Sequence, residues 1–191
     1  MQAGESKPAP MPLLLVQAFV NTWDRDNGQD ALLEPDDAQQ WLGQAGLIPR
    51  DEIPDPAGLH LAREVRESIR ALLTMNGGGP AAGAETLRPL QVLTGLGHLQ
   101  ASIGPDGLVG LDPAPVGDGP ESPLAGALLR LLLVIRDAQA DGSWPRLKSC
   151  GNPDCRWAFY DRSHSRRGAW CDMATCGNRI KNRTLRQRQK T

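Results

Sequence analysis

The sequence predicts a mainly α protein with one small β-hairpin, an α+β arrangement, that closes on a compact carboxy-terminal module built around four cysteines. Three observations carry the prediction. Apolar residues recur at helical spacing through the body. The stretch from His98 to Leu111 alternates in character about a Gly-Pro-Asp-Gly turn, and the only four cysteines stand as Cys150-x4-Cys155 and Cys171-x4-Cys176. A chain of 191 residues can bury an apolar core before any metal contributes. No stretch approaches the roughly 18 uncharged apolar residues of a membrane span. No basic leader with a small-residue cleavage site stands ahead of the first apolar run. No membrane partner and a cytoplasmic, reducing location are therefore expected.

Residues 1–12 hold three prolines and few apolar groups, and read as a disordered start. From Leu13 to Trp23 the apolar residues are nearly continuous; period alone does not separate a buried helix from a buried strand, and Pro12 suits the first turn of a helix. Asn27-Gly28 is a turn. Asp36 or Asp37 caps a helix that runs through Gln44, with Trp41, Leu42 and Ala45 inward and Gly46 closing it. After a proline-rich connector, Pro49 to Pro56, a helix from about Gly58 to Met75 carries Ala62, Val65, Ile69, Leu72 and Leu73 on one buried stripe. Arg63, Glu64, Arg66, Glu67 and Arg70 then form its solvated face, with Arg63–Glu67 and Glu67–Arg70 paired across one turn.

Asn76-Gly-Gly-Gly-Pro80 lacks the Lys-Ser/Thr of a phosphate loop and reads as a linker. Glu85 to Leu93 forms a short helix. Leu99, Ala101 and Ile103 alternate with His98, Gln100 and Ser102, and Gly104-Pro-Asp-Gly107 turns the chain into Leu108–Leu111, which gives the hairpin. Asp112 to Pro123 is a surface loop. Leu124, Leu128, Leu131 and Ile135 mark a strongly apolar helix ending near Asp141-Gly142. The body thus spans 13–142 and the cysteine module 146–191.

Each close pair of cysteines spans two corners of a tetrahedron, and the loop between the pairs carries the chain to the other two. Soft thiolates select zinc or, less often, iron. A spacing of four within a pair is at the wide end of the tolerated range. Two disulfides or plain buried thiols are the alternatives, and a reducing compartment argues against the first. One structural zinc on Cys150, Cys155, Cys171 and Cys176 is expected; His164, in the loop between the pairs, is the other candidate ligand. Four sulfurs leave no position for water or substrate. Arg156 to Asp161 has the content of a short strand, and the second pair opens a helix. That order makes the module a treble-clef-like zinc finger. The chain carries no nucleophile–base–acid set and no histidine–carboxylate cluster; His60 and His98 stand apart on separate elements. An enzyme is not expected.

Charge is divided. From Arg146 onward twelve Lys/Arg face three Asp/Glu, whereas the first 145 residues hold nine against nineteen. Such asymmetry points to a polyanion at the basic end, and also lets the acidic body shield it. Arg179, Arg183, Arg186 and Lys190 fall on one helical stripe.

Cys150-Gly-Asn-Pro-Asp-Cys155, Trp157-x-Phe159-x-Asp161, Arg166-Arg167, and Trp170-Cys171-Asp-Met173-x2-Cys176-Gly177-Asn178-Arg179-x-Lys181 resemble the CGNR zinc-finger family. The body resembles the domain that precedes this finger in bacterial stress-induced transcription regulators, through Phe19-Val20-Asn21-Thr22 and Trp41-Leu42-x2-Ala45-Gly46-Leu47. One departure is Ser163-His164-Ser165 where relatives carry a Ser-Arg-Asn turn, with Gly168-Ala169 inserted before Trp170. The resemblance implies a zinc-dependent, DNA-binding transcription regulator whose body senses a small-molecule effector or a partner.

The nucleic-acid candidates are Arg166, Arg167, Asn178, Arg179, Lys181, Asn182, Arg183, Arg186, Arg188 and Lys190; Asn178 or Asn182 would reach base edges. Asn21, Thr22 and Arg25 are the candidate effector pocket, with helix capping as the plainer role for the first two. Gly177-Asn178 has a structural alternative, tying the metal turn, and Arg179 has one in pairing with Asp154 or Asp161. Trp157, Phe159, Tyr160 and Trp170 form either a small core beside the metal or a stacking surface for bases. A homodimer would offset the weak affinity of so small a finger. The rival function is an RNA- or protein-binding module in which zinc only supports the fold.

Overall fold

The computed structural model describes residues 7–115 and 123–188. Helix α1 (Leu13–Val20) buries Leu13, Val16, Phe19 and Val20. It stops short of Trp23 because Asn21 and Thr22 turn the chain: the Thr22 hydroxyl donates to the Phe19 carbonyl at 2.8 Å. Strands β1 (Trp23–Asp24) and β2 (Gln29–Asp30) then pair antiparallel about Asn27-Gly28, where Gly28 takes a φ of +66°.

Helix α2 (Pro35–Gln44) has Glu34, not Asp36 or Asp37, at its N-cap. Pro35 starts the helix, so both aspartates fall inside the first turn, where they oppose the positive end of the helix dipole. Gly46, at φ +69°, closes it as expected: Leu47 and Gly46 donate to the Leu42 and Gly43 carbonyls at 3.0 and 3.2 Å.

Helix α3 (Pro56–Asn76) is the central element, and the Asp55 carboxylate caps it by accepting from the Ala57 and Gly58 N–H groups, both at 2.9 Å. Its stripe of Leu59, Ala62, Val65, Ile69 and Leu73 is buried. The expected solvated face is not solvated throughout: Arg66 and Arg70 are 2% and 0% exposed. Helix α4 (Ala84–Gly95), longer than expected, leads into strands β3 (Gly97–Ile103) and β4 (Val109–Pro115). They pair antiparallel with Leu99 opposite Pro113, Ala101 opposite Leu111 and Ile103 opposite Val109. Residues 112–115, read as loop, extend β4; 116–122 lie outside the described residues. Helix α5 (Pro123–Ala140) buries Leu124, Leu128, Leu131 and Ile135.

The core of α1, α3 and α5 continues into the cysteine segment. A 3-10 turn (Trp144–Arg146) precedes strand β5 (Leu147–Ser149), which pairs antiparallel with β6 (Ala158–Tyr160). Trp144, Leu147 and Ala158 belong to the same buried cluster as the body helices. The start of the chain is held too. Lys7 accepts through its carbonyl from the Tyr160 N–H at 2.9 Å, and Ala9 donates to the Gln17 side chain at 2.7 Å. Read alone, residues 7–12 showed no partners, because those partners come from β6 and from the inner face of α1; residues 1–6 lie outside the described ones.

Candidate metal centre and basic helix

The first cysteine pair sits on a tight turn leaving β5. The Asn152 carbonyl accepts from the Cys155 and Arg156 N–H groups at 3.1 and 3.0 Å. The Asn152 side chain, buried, donates to the Cys176 sulfur at 3.6 Å and so links the two pairs. Arg156 leaves the turn in the left-handed region, at φ +53°. Its carbonyl is fixed there by donors from Arg70 at 2.9 Å and from the Ser149 hydroxyl at 3.1 Å.

The second pair brackets a wide turn, Met173–Gly177, whose start is capped by Asp172 accepting from the Thr175 N–H at 2.7 Å. A Cβ on Gly177 would displace the end of the Met173 side chain and meet the Trp170 ring at 3.2 Å, so the glycine lets both pack closely against the metal turn. Helix α6 (Asn178–Arg188) follows directly. A knuckle beside a hairpin and a second pair at the head of a helix complete the treble-clef order.

The four sulfurs all lie within 4.8 Å of one another, and two of the separations are 3.7 Å. Zinc–sulfur bonds of about 2.3 Å place tetrahedral corners about 3.8 Å apart, so the cluster is preformed for zinc. Proton sharing makes the same point. Hydrogen bonds from Cys155 and Cys171 hold the Cys150 thiol far below its usual range, while bonding to that sulfur pushes Cys155 and Cys171 up. Four thiolates coexist here only around a cation. His164 is exposed and does not join the group. All four positions are sulfur and the site is closed.

Trp157, Phe159 and Trp170 pack against the cysteines, the small core anticipated beside the metal, whereas Tyr160 packs on the body. Lys148 and Asp161, both buried, pair at 2.9 Å. Lys148 also donates to the Arg166 carbonyl at 2.6 Å, and Asp161 accepts from the Ser163 and Gly168 N–H groups at 3.0 and 2.7 Å. This pair shapes the loop that exposes Arg166 and Arg167. Burial alone would raise the Asp161 pKa, but the bonds from Ser163, Lys148 and Gly168 outweigh it and hold the carboxyl well below the usual range.

Replacing Asp161 with Asn leaves Lys148 buried without a counter-charge and is expected to cost about 3–5 kcal/mol, read by urea denaturation of the zinc-loaded protein. A depressed folded pKa gives stability that is present above the unfolded value of about 3.9 and is lost as pH falls through the folded one. The difference between wild type and variant therefore holds at neutral pH and shrinks below about pH 4.

The three residues expected to line a pocket are not brought together. Asn21 is buried and pairs with β6, donating to the Ala158 carbonyl at 3.0 Å and accepting from its N–H at 2.7 Å. Arg25 lies 4.5 Å over the Trp23 ring. Only Thr22 borders an open groove of about 410 Å³, with Gln29, Asp30, Asp37 and Trp41. What sequence reasoning missed is the arginine relay behind that groove. Arg66 grips Asp30 at 2.6 and 2.8 Å, and Glu67 accepts from both Arg66 and Arg70 at 3.1 Å. Arg70 donates onward to the Val20 carbonyl at 2.6 Å and to Arg156 beside the knuckle. The available signal was position: residues 66 and 70 each directly follow a stripe residue, Val65 and Ile69.

On α6, Arg179, Asn182, Arg183 and Arg186 line one open trough of about 480 Å³. Lys181 is exposed on the same helix, Arg188 ends it, and Lys190 lies outside the described residues. Asn178 ties the metal turn by donating to the Ala174 carbonyl at 3.0 Å. Arg179 finds neither Asp154 nor Asp161; it meets Asp26 at the tip of the β1–β2 hairpin, at 3.3 Å. Asp154 is taken by Arg183 at 2.5 Å, and Asp161 by Lys148.

The chain thus joins a mostly helical body to a cluster of four thiols followed directly by a basic helix. Residues 146–189 match the CGNR zinc finger, and residues 14–140 match the ABATE family, described as putative stress-induced transcription regulator. The second match spans more than half of the chain, and the protein belongs to that family. No curated protein matches the chain. Among the described residues, no helix is long and apolar enough to cross a membrane.

Proposed function

We propose that the protein is a cytoplasmic DNA-binding transcription regulator whose zinc holds α6 in position and whose body responds to a small-molecule effector. The observation that carries the DNA reading is the trough in which Arg179, Asn182, Arg183 and Arg186 converge on one open face. Guanidinium groups so placed meet phosphates and release counterions, and Asn182 among them can reach a base edge. Arg166 and Arg167 add backbone contacts from the neighbouring loop. Arg179 and Arg183 are occupied by Asp26 and Asp154, but exposed ion pairs contribute only about 0–1 kcal/mol, and a phosphate displaces them readily. The effector reading rests on the groove beside Asp30. A ligand that shifts β2 pulls on Arg66, and the relay through Glu67 and Arg70 ends at the Arg156 carbonyl beside Cys155.

Fluorescence anisotropy with labelled random duplex DNA tests this. Binding at low salt that weakens steeply as salt rises is expected. The double variant Arg183→Glu, Arg186→Glu should abolish binding while zinc content and circular dichroism stay unchanged. A flat response at low salt, or binding indifferent to salt, would sink the proposal. Structured RNA that outcompetes duplex DNA at matched salt would favour an RNA-binding role.

A further inference from the structure

The β3–β4 hairpin has two unlike faces. Leu99, Ala101 and Ile103 lie opposite Pro113, Leu111 and Val109, so one face is wholly apolar, while His98, Gln100, Ser102 and Asp112 fall on the other. That apolar face begins in the body. A Cβ on Gly97, on the same side as Leu99, would come within 2.6 Å of Leu129 on α5. Outward from there the cover thins: Leu99 and Leu111 are 45% and 38% exposed, and toward the tip Val109 and Ile103 reach 73% and 77%. A two-stranded hairpin is marginal in water without something against its apolar face.

We infer that this arm is the interface between two copies of the chain, the apolar faces of two arms stacking about a two-fold axis into a four-stranded sandwich. Chemistry selects the occupant. The arm from Gly97 to Pro115 contains no Lys or Arg, so it offers nothing to nucleic acid or to an anionic membrane surface. Its only carboxylates, Asp106 and Asp112, sit at the turn and on the polar side, leaving the stacked face free of repulsion. The face is self-complementary, as an isologous contact requires. The exposed side chains of the face, Leu99, Ile103, Val109 and Leu111, make this a small interface, of the size at which association is weak.

Sedimentation velocity on the full zinc-loaded chain decides it. A dimer at about 10 μM is expected, consistent with an interface at the small end of the range. Ile103→Asp with Val109→Asp should weaken association at least about a hundred-fold, with zinc content and circular dichroism unchanged, since both side chains are exposed. Gln100→Lys, on the polar face opposite Asp112, should leave the dimer intact. A wild-type monomer at about 100 μM would overturn the inference, whatever else the arm then bound. So would a double variant that dimerises like wild type, or a Gln100→Lys variant that dissociates as far as the double variant does.

Discussion

Stripping the zinc with a strong chelator is expected to destabilise the body and not merely to loosen the finger. Structural zinc sites in finger peptides carry apparent binding energies of about 10–16 kcal/mol, and here the bound segment is part of the main core. Trp144, Leu147 and Ala158 pack with the body helices, and Asn76 at the end of α3 donates to the Trp144 and Leu147 carbonyls, both at 2.9 Å. Losing the metal leaves four crowded thiols, frees the knuckle and withdraws the Arg156 carbonyl from Arg70. Thermal unfolding followed at a helical wavelength should show one transition, lowered by more than about 10 °C, with loss of the near-ultraviolet signal of buried Trp144 and half-buried Trp157 and Trp170. Cys171→Ser should reproduce it, and zinc added back should reverse the chelator effect. A body transition that does not move on chelation would show that finger and body are energetically separate.

Replacing Arg70 with Met has the next largest expected effect. The guanidinium is fully buried and serves Val20, Arg156 and Glu67. Burial draws its pKa down and the Glu67 carboxylate opposes that. Met fills much of the volume but takes the Arg70 donor from the buried Val20 carbonyl, leaves the Arg156 carbonyl with Ser149 alone, and leaves Glu67 with one of its two arginines. Losing donors to two carbonyls at about 1–3 kcal/mol each, together with the packing of the guanidinium, costs about 3–5 kcal/mol, and about 10 °C in melting temperature follows for a chain of this size. The variant should also hold zinc less tightly, because Arg156 loses one of the two donors that keep its backbone in the left-handed region. A competition titration with a chromophoric chelator reads that; unchanged zinc affinity would mean that the relay ends at the body.

The metal site was legible almost completely in the sequence. Four cysteines in two close pairs suffice to specify a tetrahedral thiolate cage, because chelate spacing is local. Helix positions were legible for the same reason: the stripe of α3, the Gly46 stop and the Asn27-Gly28 turn depend on residues a few places apart. The Asn178 tie to Ala174 and the aromatic core of Trp157, Phe159 and Trp170 were open alternatives that local geometry decided.

The fate of the polar residues was not local. Arg66 and Arg70 look like any solvated helix face until β2, α1 and the knuckle supply Asp30, Val20 and Arg156 across separations of up to 86 residues. Asn21 looks like a cap or a pocket residue until β6 places the Ala158 backbone against it. Arg179 pairs with neither Asp154 nor Asp161, the acids of its own module weighed for it, because the β1–β2 hairpin brings Asp26 to it instead. By itself the sequence determined which four residues form a metal site, where its helices run and where its positive charge gathers, all matters of composition and short spacing. Only the tertiary structure decided that the finger shares the body's core and is tied to it by the buried Arg70, because a buried charge is stable only where distant backbone and side chains converge to hydrogen-bond it.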